Sequence, residues 1–461
     1  MLIKDFGGRT MNHNFGRKTW LGALIAAAVL IGCDSVGPPA FRMNMVAAVS
    51  TDPPTSPQYQ QEIADVLGAL FGTPDEPFAL PETGLDVSKL RQSAGPAWSD
   101  EEGYNYGLYR KHCVHCHGIT GDGRGPTAQF LNPYPRDYRP GVYKFKSTFN
   151  PAKPTHDDLH TVLINGIPGT AMPSFSLLPG SEVESLVEYV KYLSFRGQME
   201  TKLIAFVYDE LGEEVAEDES GNEIRDEDGN LVINRPALDP TQNVDQRDMV
   251  LEMLAEVIEG WNEANDQIIA PEEESIPAED RTPEEVLASV EKGRELFYGT
   301  RANCIKCHGP TGLGDGQQDD HDNWQKAHKK FLEDTALMAE NIDRQAGEDD
   351  VDWDQLAEEQ ELLAAREGVT ETLYSLRNAI PRNLRQGVYR GGRRRLDIFR
   401  RVYAGIAGSP MPATGPASPG AKGTLTEAEI WNIVDYVVTL PYEPSSQPQR
   451  VTPKYTEAIA R

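Results

Sequence analysis

Two five-residue strings constrain this chain more than anything else in it: Cys113-Val114-His115-Cys116-His117 and Cys304-Ile305-Lys306-Cys307-His308. Two thiols three positions apart, with His immediately after, form the spacing of covalent haem attachment. The thiols add across the two vinyl groups of haem as thioethers, and the adjacent His faces the iron. Zinc binding and thiol redox chemistry compete for the same residues. A zinc ribbon pairs its two C-x-x-C units at short separation, whereas these two lie far apart in the chain. A thioredoxin-like site needs one pair and leaves the trailing His unexplained. The chain has five cysteines in all, too few for a disulfide-stapled scaffold of 461 residues. Two haems c are therefore expected, on Cys113 and Cys116 and on Cys304 and Cys307.

The text around the strings is duplicated. Pro135-Arg136-Asp137-Tyr138-Arg139-Pro140-Gly141-Val142-Tyr143-Lys144 is echoed by Pro381-Arg382-Asn383-Leu384-Arg385-Gln386-Gly387-Val388-Tyr389-Arg390. Gly169-Thr170-Ala171-Met172-Pro173 is echoed by Gly408-Ser409-Pro410-Met411-Pro412. Each copy closes on a helical pattern, Val187-Glu188-Tyr189-Val190 in one and Val434-Asp435-Tyr436-Val437 in the other. Only two copies exist, so this is a tandem duplication and not a solenoid. The second copy is longer, and the extra residues between Gly316 and Arg377 predict one or two amphipathic helices.

The sixth iron ligand decides what a haem can do. A His/Met pair fills both axial positions and raises the reduction potential. Met172 and Met411 occupy matching places, each after a Gly-containing loop and before Pro, so they are expected to ligate opposite His117 and His308. Packing is the alternative role for a Met. Arg136, Arg139, Tyr143, Arg382, Arg385 and Tyr389 are candidates for bonding haem propionates, which need cationic or hydroxyl partners when buried. A surface salt-bridge set is the equal alternative. Arg377 to Arg401 holds nine arginines and one acid, Asp397. Such a patch either docks an acidic partner or pairs with the chain's own acidic insertion, and the tethered insertion is the preferred partner.

Composition excludes one broad class. The net charge is −28, so nucleic-acid binding by a basic surface is not expected. The start of the chain reads as an address: Arg17 and Lys18 precede an apolar run from Trp20 to Ile31, too short to span a bilayer. It ends Leu30-Ile31-Gly32-Cys33, which resembles a bacterial lipoprotein cleavage site, with Met11 the better-placed start. That resemblance implies lipidation at Cys33 and a periplasmic position on a membrane. An ordinary cleaved signal is the alternative.

Each copy resembles a class I cytochrome c domain in the order helix, C-x-x-C-H, Gly-rich loop, Met strap, aromatic-bearing helix. The resemblance implies a mainly α fold: two tandem class I cytochrome c domains joined by an acidic linker, the second with a helical insertion. Gly293 and Phe297 are similar to the pair at which the crossing helices of that family touch. Asn105 stands where Gly would be expected in the first copy, so a less close crossing is expected there. The run from Arg139 to Thr148 is also similar, over a short stretch, to cytochrome subunits of respiratory complexes such as alternative complex III. The expected organisation is a signal peptide (1–32), a tether with one short helix (33–95), domain 1 (96–200), an acidic linker (201–280), domain 2 (281–445, insertion about 317–377) and a tail (446–461). From Asp209 to Asp228 the linker holds eleven acids and one base, with turns at 220–222 and 228–230 that suggest a small hairpin. A short helix is expected over Val250 to Trp261.

The expected function is a membrane-anchored dihaem electron carrier, not an enzyme, exchanging single electrons with redox proteins of the respiratory chain. Its length beyond what a shuttle needs favours a place in a larger complex. The alternative is a dihaem enzyme, of peroxidase or thiosulfate-oxidising type, with one exchangeable axial site. Equal Met straps in both copies argue against it.

Overall fold

Thr155, Thr282 and Thr426 start three helices by one device. Each hydroxyl accepts the backbone N–H three residues on, and the acid there (Asp158, Glu285, Glu429) accepts the threonine's own N–H. This reciprocal cap satisfies two donors that a helix start leaves unpaired. Pro283 adds a fixed first-turn φ to the second of them.

The computed structural model describes residues 38–446 except 52, 213, 217–223, 225–232, 348–350 and 417–420. The expected signal peptide, Cys33, the turns at 220–222 and 228–230 and nearly all of the tail lie outside the described residues. From Phe41 onward the chain forms one contact unit.

The first copy holds α1 (Pro57–Phe71), α2 (Val87–Ser93), a hairpin of β1 (Trp98–Ser99) and β2 (Asn105–Tyr106), α3 (Leu108–His112), α4 (Val114–His117), α5 (His156–Asn165) and the long α6 (Gly180–Phe206). In the hairpin Trp98 pairs with Tyr106 and Ser99 with Asn105, antiparallel. A second small hairpin follows, β3 (Glu214–Val215) against β4 (Ile233–Asn234), then α7 (Val244–Asn262). The second copy holds α8 (Pro283–Tyr298), α9 (Ile305–His308), α10 (Asn323–Gln345), α11 (Trp353–Thr370), α12 (Arg395–Ala404) and α13 (Glu427–Thr439). Among the described residues no helix is long and apolar enough to cross a membrane.

Two expectations about the organisation are corrected. Residues 41–95 are not a spacer. Tyr59, Ile63, Leu67 and Phe71 of α1 are buried in one core with Val183, Leu186, Tyr189 and Leu193 of α6. A helix with such an apolar stripe must bury it, and α6 is the surface it meets. Tyr192 donates to Phe71 O at 2.5 Å, and Tyr59 Oη lies 2.9 Å from both Gly212 O and Pro236 O, which share its one proton. Nor is 201–280 a bare linker. Helix α6 runs past the expected boundary, and α7 lays Val250, Leu254, Val257 and Trp261 into the same core. The helix expected over 250–261 is thus present and longer.

The two copies also share packing. Phe149, from the first copy, sits in the second copy's core, with its ring 5.8 Å from that of Tyr403. Asn150 Nδ2 donates to Ala404 O at 2.6 Å.

Helices α8 and α13 cross closely. A β-carbon on Gly293 would lie 1.9 Å from Asn432 O, so only glycine fits there. One turn on, the Phe297 ring meets Tyr436 at 5.3 Å, edge to face. The first copy crosses differently. Its chain leaves helix α2 at Ser93, detours through the β1–β2 hairpin and re-enters at Leu108. Asn105 therefore lies on a strand, where Nδ2 donates to Glu182 at 2.7 Å. The comparison of Asn105 with a crossing glycine does not hold, because the helix it assumed is interrupted. Gln92 of α2 instead accepts from Ser185 of α6 at 2.6 Å.

Candidate functional site

Both C-x-x-C-H strings fold into one helical turn closed by the same hydrogen bonds. His117 N donates to Cys113 O and His308 N to Cys304 O, each at 2.9 Å. The glycine-rich loops then return over these turns. Gly123 N reaches His117 O and Gly125 N reaches Cys116 O, while Gly314 N reaches His308 O and Gly316 N reaches Cys307 O. A β-carbon on Gly125 would lie 2.4 Å from Val114 O, and one on Gly316 would lie 2.4 Å from Lys306 O. The loop can close this tightly only without a side chain.

The two histidines expected to face iron are oriented alike. His117 Nδ1 lies 3.1 Å from Arg136 O, and His308 Nδ1 lies 3.1 Å from Arg382 O. A backbone carbonyl accepts only from N–H, so both rings carry their proton on Nδ1 and leave Nε2 as the free lone pair. Burial lowers both pKa values, that of His117 to about 4, which keeps the imidazoles neutral. The methionines sit in matching turns: Ile167 N donates to Met172 O at 3.1 Å, and Ile406 N to Met411 O at 3.2 Å. Met172 and Met411 are each partly buried against their own copy's core.

The thiols do not suit redox exchange. That chemistry needs a lowered thiol pKa, yet burial pushes Cys113 up to about 12 and Cys304 to about 11. Zinc fares no better. Among the described residues no three His, Cys, Asp or Glu side chains converge as a metal site.

A cavity of about 250 Å3 in the first copy is lined by Cys113, Cys116, His117 and Met172 together. Leu159, Val162, Leu163, Phe175, Leu186, Val187 and Val190 make its walls apolar. Arg136, Lys144 and Arg390 bring three cations to the lining, against one carboxylate, Asp322. Apolar walls, two thiols, an imidazole, a thioether and a cationic stretch are the donor set that haem with its two carboxylates requires. The residues fit the group.

Among the propionate candidates the structure separates free groups from engaged ones. Arg136 lines the cavity and makes no side-chain hydrogen bond among the described residues. Arg139 is buried and forks onto Asp137 at 2.8 and 3.1 Å. Arg385 bonds Glu443 at 2.8 Å. Tyr143 Oη meets Ser194 Oγ at 2.7 Å, and Tyr389 Oη donates to Val437 O at 2.9 Å. These two tyrosines tie the arginine-bearing straps to the closing helices, although Tyr143 also lines the cavity. Arg382 Nε donates to Val388 O at 2.8 Å. Lys144, Asp322, Trp324 and Arg390 were not foreseen as lining residues. The aligned pairs Tyr143-Lys144 and Tyr389-Arg390 carried a signal for two of them.

Among the described residues the arginine-rich patch forms no ion pair with the acidic insertion, which was the partner preferred from sequence. Arg395 pairs with Asp435, Arg394 with Asp397 and Arg385 with Glu443. Arg400 and Arg401 donate to the carbonyls of Ile269, Arg390 and Gly392. Arg377 turns to the first copy: its guanidinium lies 3.9 Å from the Tyr134 ring and donates to Leu131 O and Gln129 O. These arginines thus find acids and carbonyls closer at hand than those of the insertion.

The copies differ around the histidines. The His117 ring stacks on Tyr138 at 4.6 Å. Leu384 holds the equivalent place in the second copy, where the Phe297 ring lies 6.3 Å from His308. Insertion residues line the first copy's cavity: Asp322 lies on its wall, and Trp324 meets Tyr134 edge to face at 5.7 Å.

Residues 105–190 match the family model described as cytochrome c oxidase, cbb3-type, subunit III. Residues 290–441 match the family model described as cytochrome c. No curated protein matches the chain. A chain of the Kuenenia stuttgartiensis reducing HAO-like protein complex is similar at 20% identity with a TM-score of 0.39, over 74% of this chain and 97% of that one.

Proposed function

The chain is a c-type cytochrome with two tandem cytochrome c domains that bind covalently attached haem c, and we propose that it is a lipid-anchored carrier of single electrons between respiratory redox proteins. Bound haem supplies a one-electron couple; the chain supplies its ligands, its burial and its docking surface. Cys113, Cys116, Cys304 and Cys307 hold the two groups. His117 and His308 would offer Nε2 to the iron, and Met172 and Met411 would offer a thioether sulfur. One observation carries this reading: both histidines are fixed through Nδ1 to a backbone carbonyl at 3.1 Å, and both methionines sit in the same closed turn. A catalytic dihaem site needs one copy to depart from that plan.

Lipidation at Cys33 on the periplasmic side of a bacterial membrane, and a place in a multi-subunit respiratory complex, belong to the same proposal. The sequence motif at Leu30 to Cys33 supports the first. The optical spectrum of the holoprotein, with carbon monoxide added to the reduced form, tests the carrier reading. Two low-spin haems that carbon monoxide does not shift are the expected result. A high-spin fraction in the untreated protein overturns it in favour of an exchangeable site.

A further inference from the structure

The first haem cavity is not built by the first copy alone. Asp322 and Trp324, from the start of the second copy's insertion, line it, and so does Arg390 from the second copy's strap. Asp322 occupies the N-cap position of α10, where a carboxylate normally accepts the helix's own N–H groups. It makes no such bond. Its Oδ2 instead accepts from Lys144 Nζ of the first copy at 2.6 Å, and its Oδ1 is buried with no hydrogen-bond partner. The pair is little exposed, 21% for the lysine and 16% for the aspartate side chain. Trp324 and Gln325 hold this turn in place, the former on Tyr134 and the latter accepting from Arg377 N.

The reverse contacts are present too. Arg390 donates to Gly169 O at 3.4 Å, and a β-carbon on Gly169 would lie 2.6 Å from Arg382 Nη2. A β-carbon on Gly408 would lie 3.3 Å from Val142 Cγ1 and 3.6 Å from Arg136 Nη1. Each copy's arginine strap thus lies on the turn before the other's methionine.

The geometry points to Asp322 as a positioning residue for the first haem, supplied by the second copy, which fixes Lys144 and sets the potential at which the first haem takes its electron. This rests on the carrier reading. A fixed carboxylate in a half-buried wall is weakly screened. It favours the ferric state, which carries one more positive charge, and so lowers the potential. Lys144 acts with the opposite sign.

Redox titration of the two haems in the holoprotein tests it, with the haems assigned through Met172→Ala and Met411→Ala. Asp322→Asn is expected to change the oxidised-to-reduced ratio of the first haem about tenfold towards reduced, about 59 mV for one electron. Lys144→Met is expected to move it the other way, Asp322→Glu to restore it, and Glu333→Gln, in the same insertion, to leave it unmoved. General loosening of the site would move Asp322→Asn and Lys144→Met in one direction. Shifts of the same sign, no shift, or an equal shift in Glu333→Gln overturn the proposal while both haems remain low-spin. Carbon monoxide binding by the unmutated protein would instead overturn the carrier reading.

Discussion

The two copies share a cradle and differ in what surrounds it. The shared part is local: a helical turn, a glycine loop that returns over it, a carbonyl that fixes the imidazole, and a closed turn before the methionine. These hydrogen bonds recur in both copies, even though the carbonyl that fixes the imidazole is much further along the chain in the second. The differing part comes from elsewhere. The first copy has Tyr138 under its histidine, an interrupted entry helix and insertion residues from the second copy at its cavity. The second has Leu384, a continuous helix and a glycine-tight crossing. The residues placed to bind the cofactor recur in both copies while their surroundings differ, and burial and neighbouring charge are what tune a haem's potential.

The sharpest way to break the comparison is at the methionines. Met172→Ala and Met411→Ala are each expected to open one haem, so carbon monoxide shifts half of the reduced spectrum in either variant and all of it in the double variant. The crossing comes next. Phe297→Ala removes a ring that is 2% exposed at the α8–α13 contact, an expected loss of about 3–5 kcal/mol by denaturant titration. Gly293→Val forces the same contact apart at about 1–3 kcal/mol. The first copy, held by Gln92 and Ser185, has no such glycine, and Gln92→Ala should lose only about 1 kcal/mol. Arg377→Ala removes the ring contact on Tyr134 and two carbonyl bonds, about 2 kcal/mol by thermal melting.

The smallest effect concerns Lys146, whose place in the second copy is taken by Gly392. Its ammonium donates to Thr148 Oγ1 at 3.1 Å and Ala152 O at 2.6 Å. Burial nonetheless pushes its pKa down to about 8, with Asp158 opposing. The folded state therefore releases this proton earlier than the unfolded chain does. Between about pH 8 and the ordinary lysine value the unfolded chain binds more protons, so this group makes stability rise with pH, by at most about 1.4 kcal/mol per unit. Lys146→Met should flatten that part of the profile in denaturant titrations across pH 8 to 10.

How much of this could be read in the sequence follows from the same division. The haem-binding strings, the glycine loops, the methionine turns and the closing helices were legible because each is a local pattern with a chemical reason. Gly293 and Phe297 announced their crossing. The hairpin that displaces Asn105 was not legible, because a two-residue strand leaves almost no periodic trace. The docking of α1 and α7 on α6 was half legible: their apolar stripes were visible, but the surface they cover was not. Asp322 was one acid among many. Only the fold brings it beside Lys144, and no spacing in the chain encodes that meeting.

Phe149 has a consequence for how the molecule comes apart. Beads on a string melt one by one, and a calorimeter records a separate peak for each. Here a ring from the first copy fills a place among Tyr403 and its neighbours, so losing the first copy leaves a hole in the second. The copies have become partners in one cooperative transition. A scan of the holoprotein should trace a single endotherm, and Phe149→Ala should begin to split it in two.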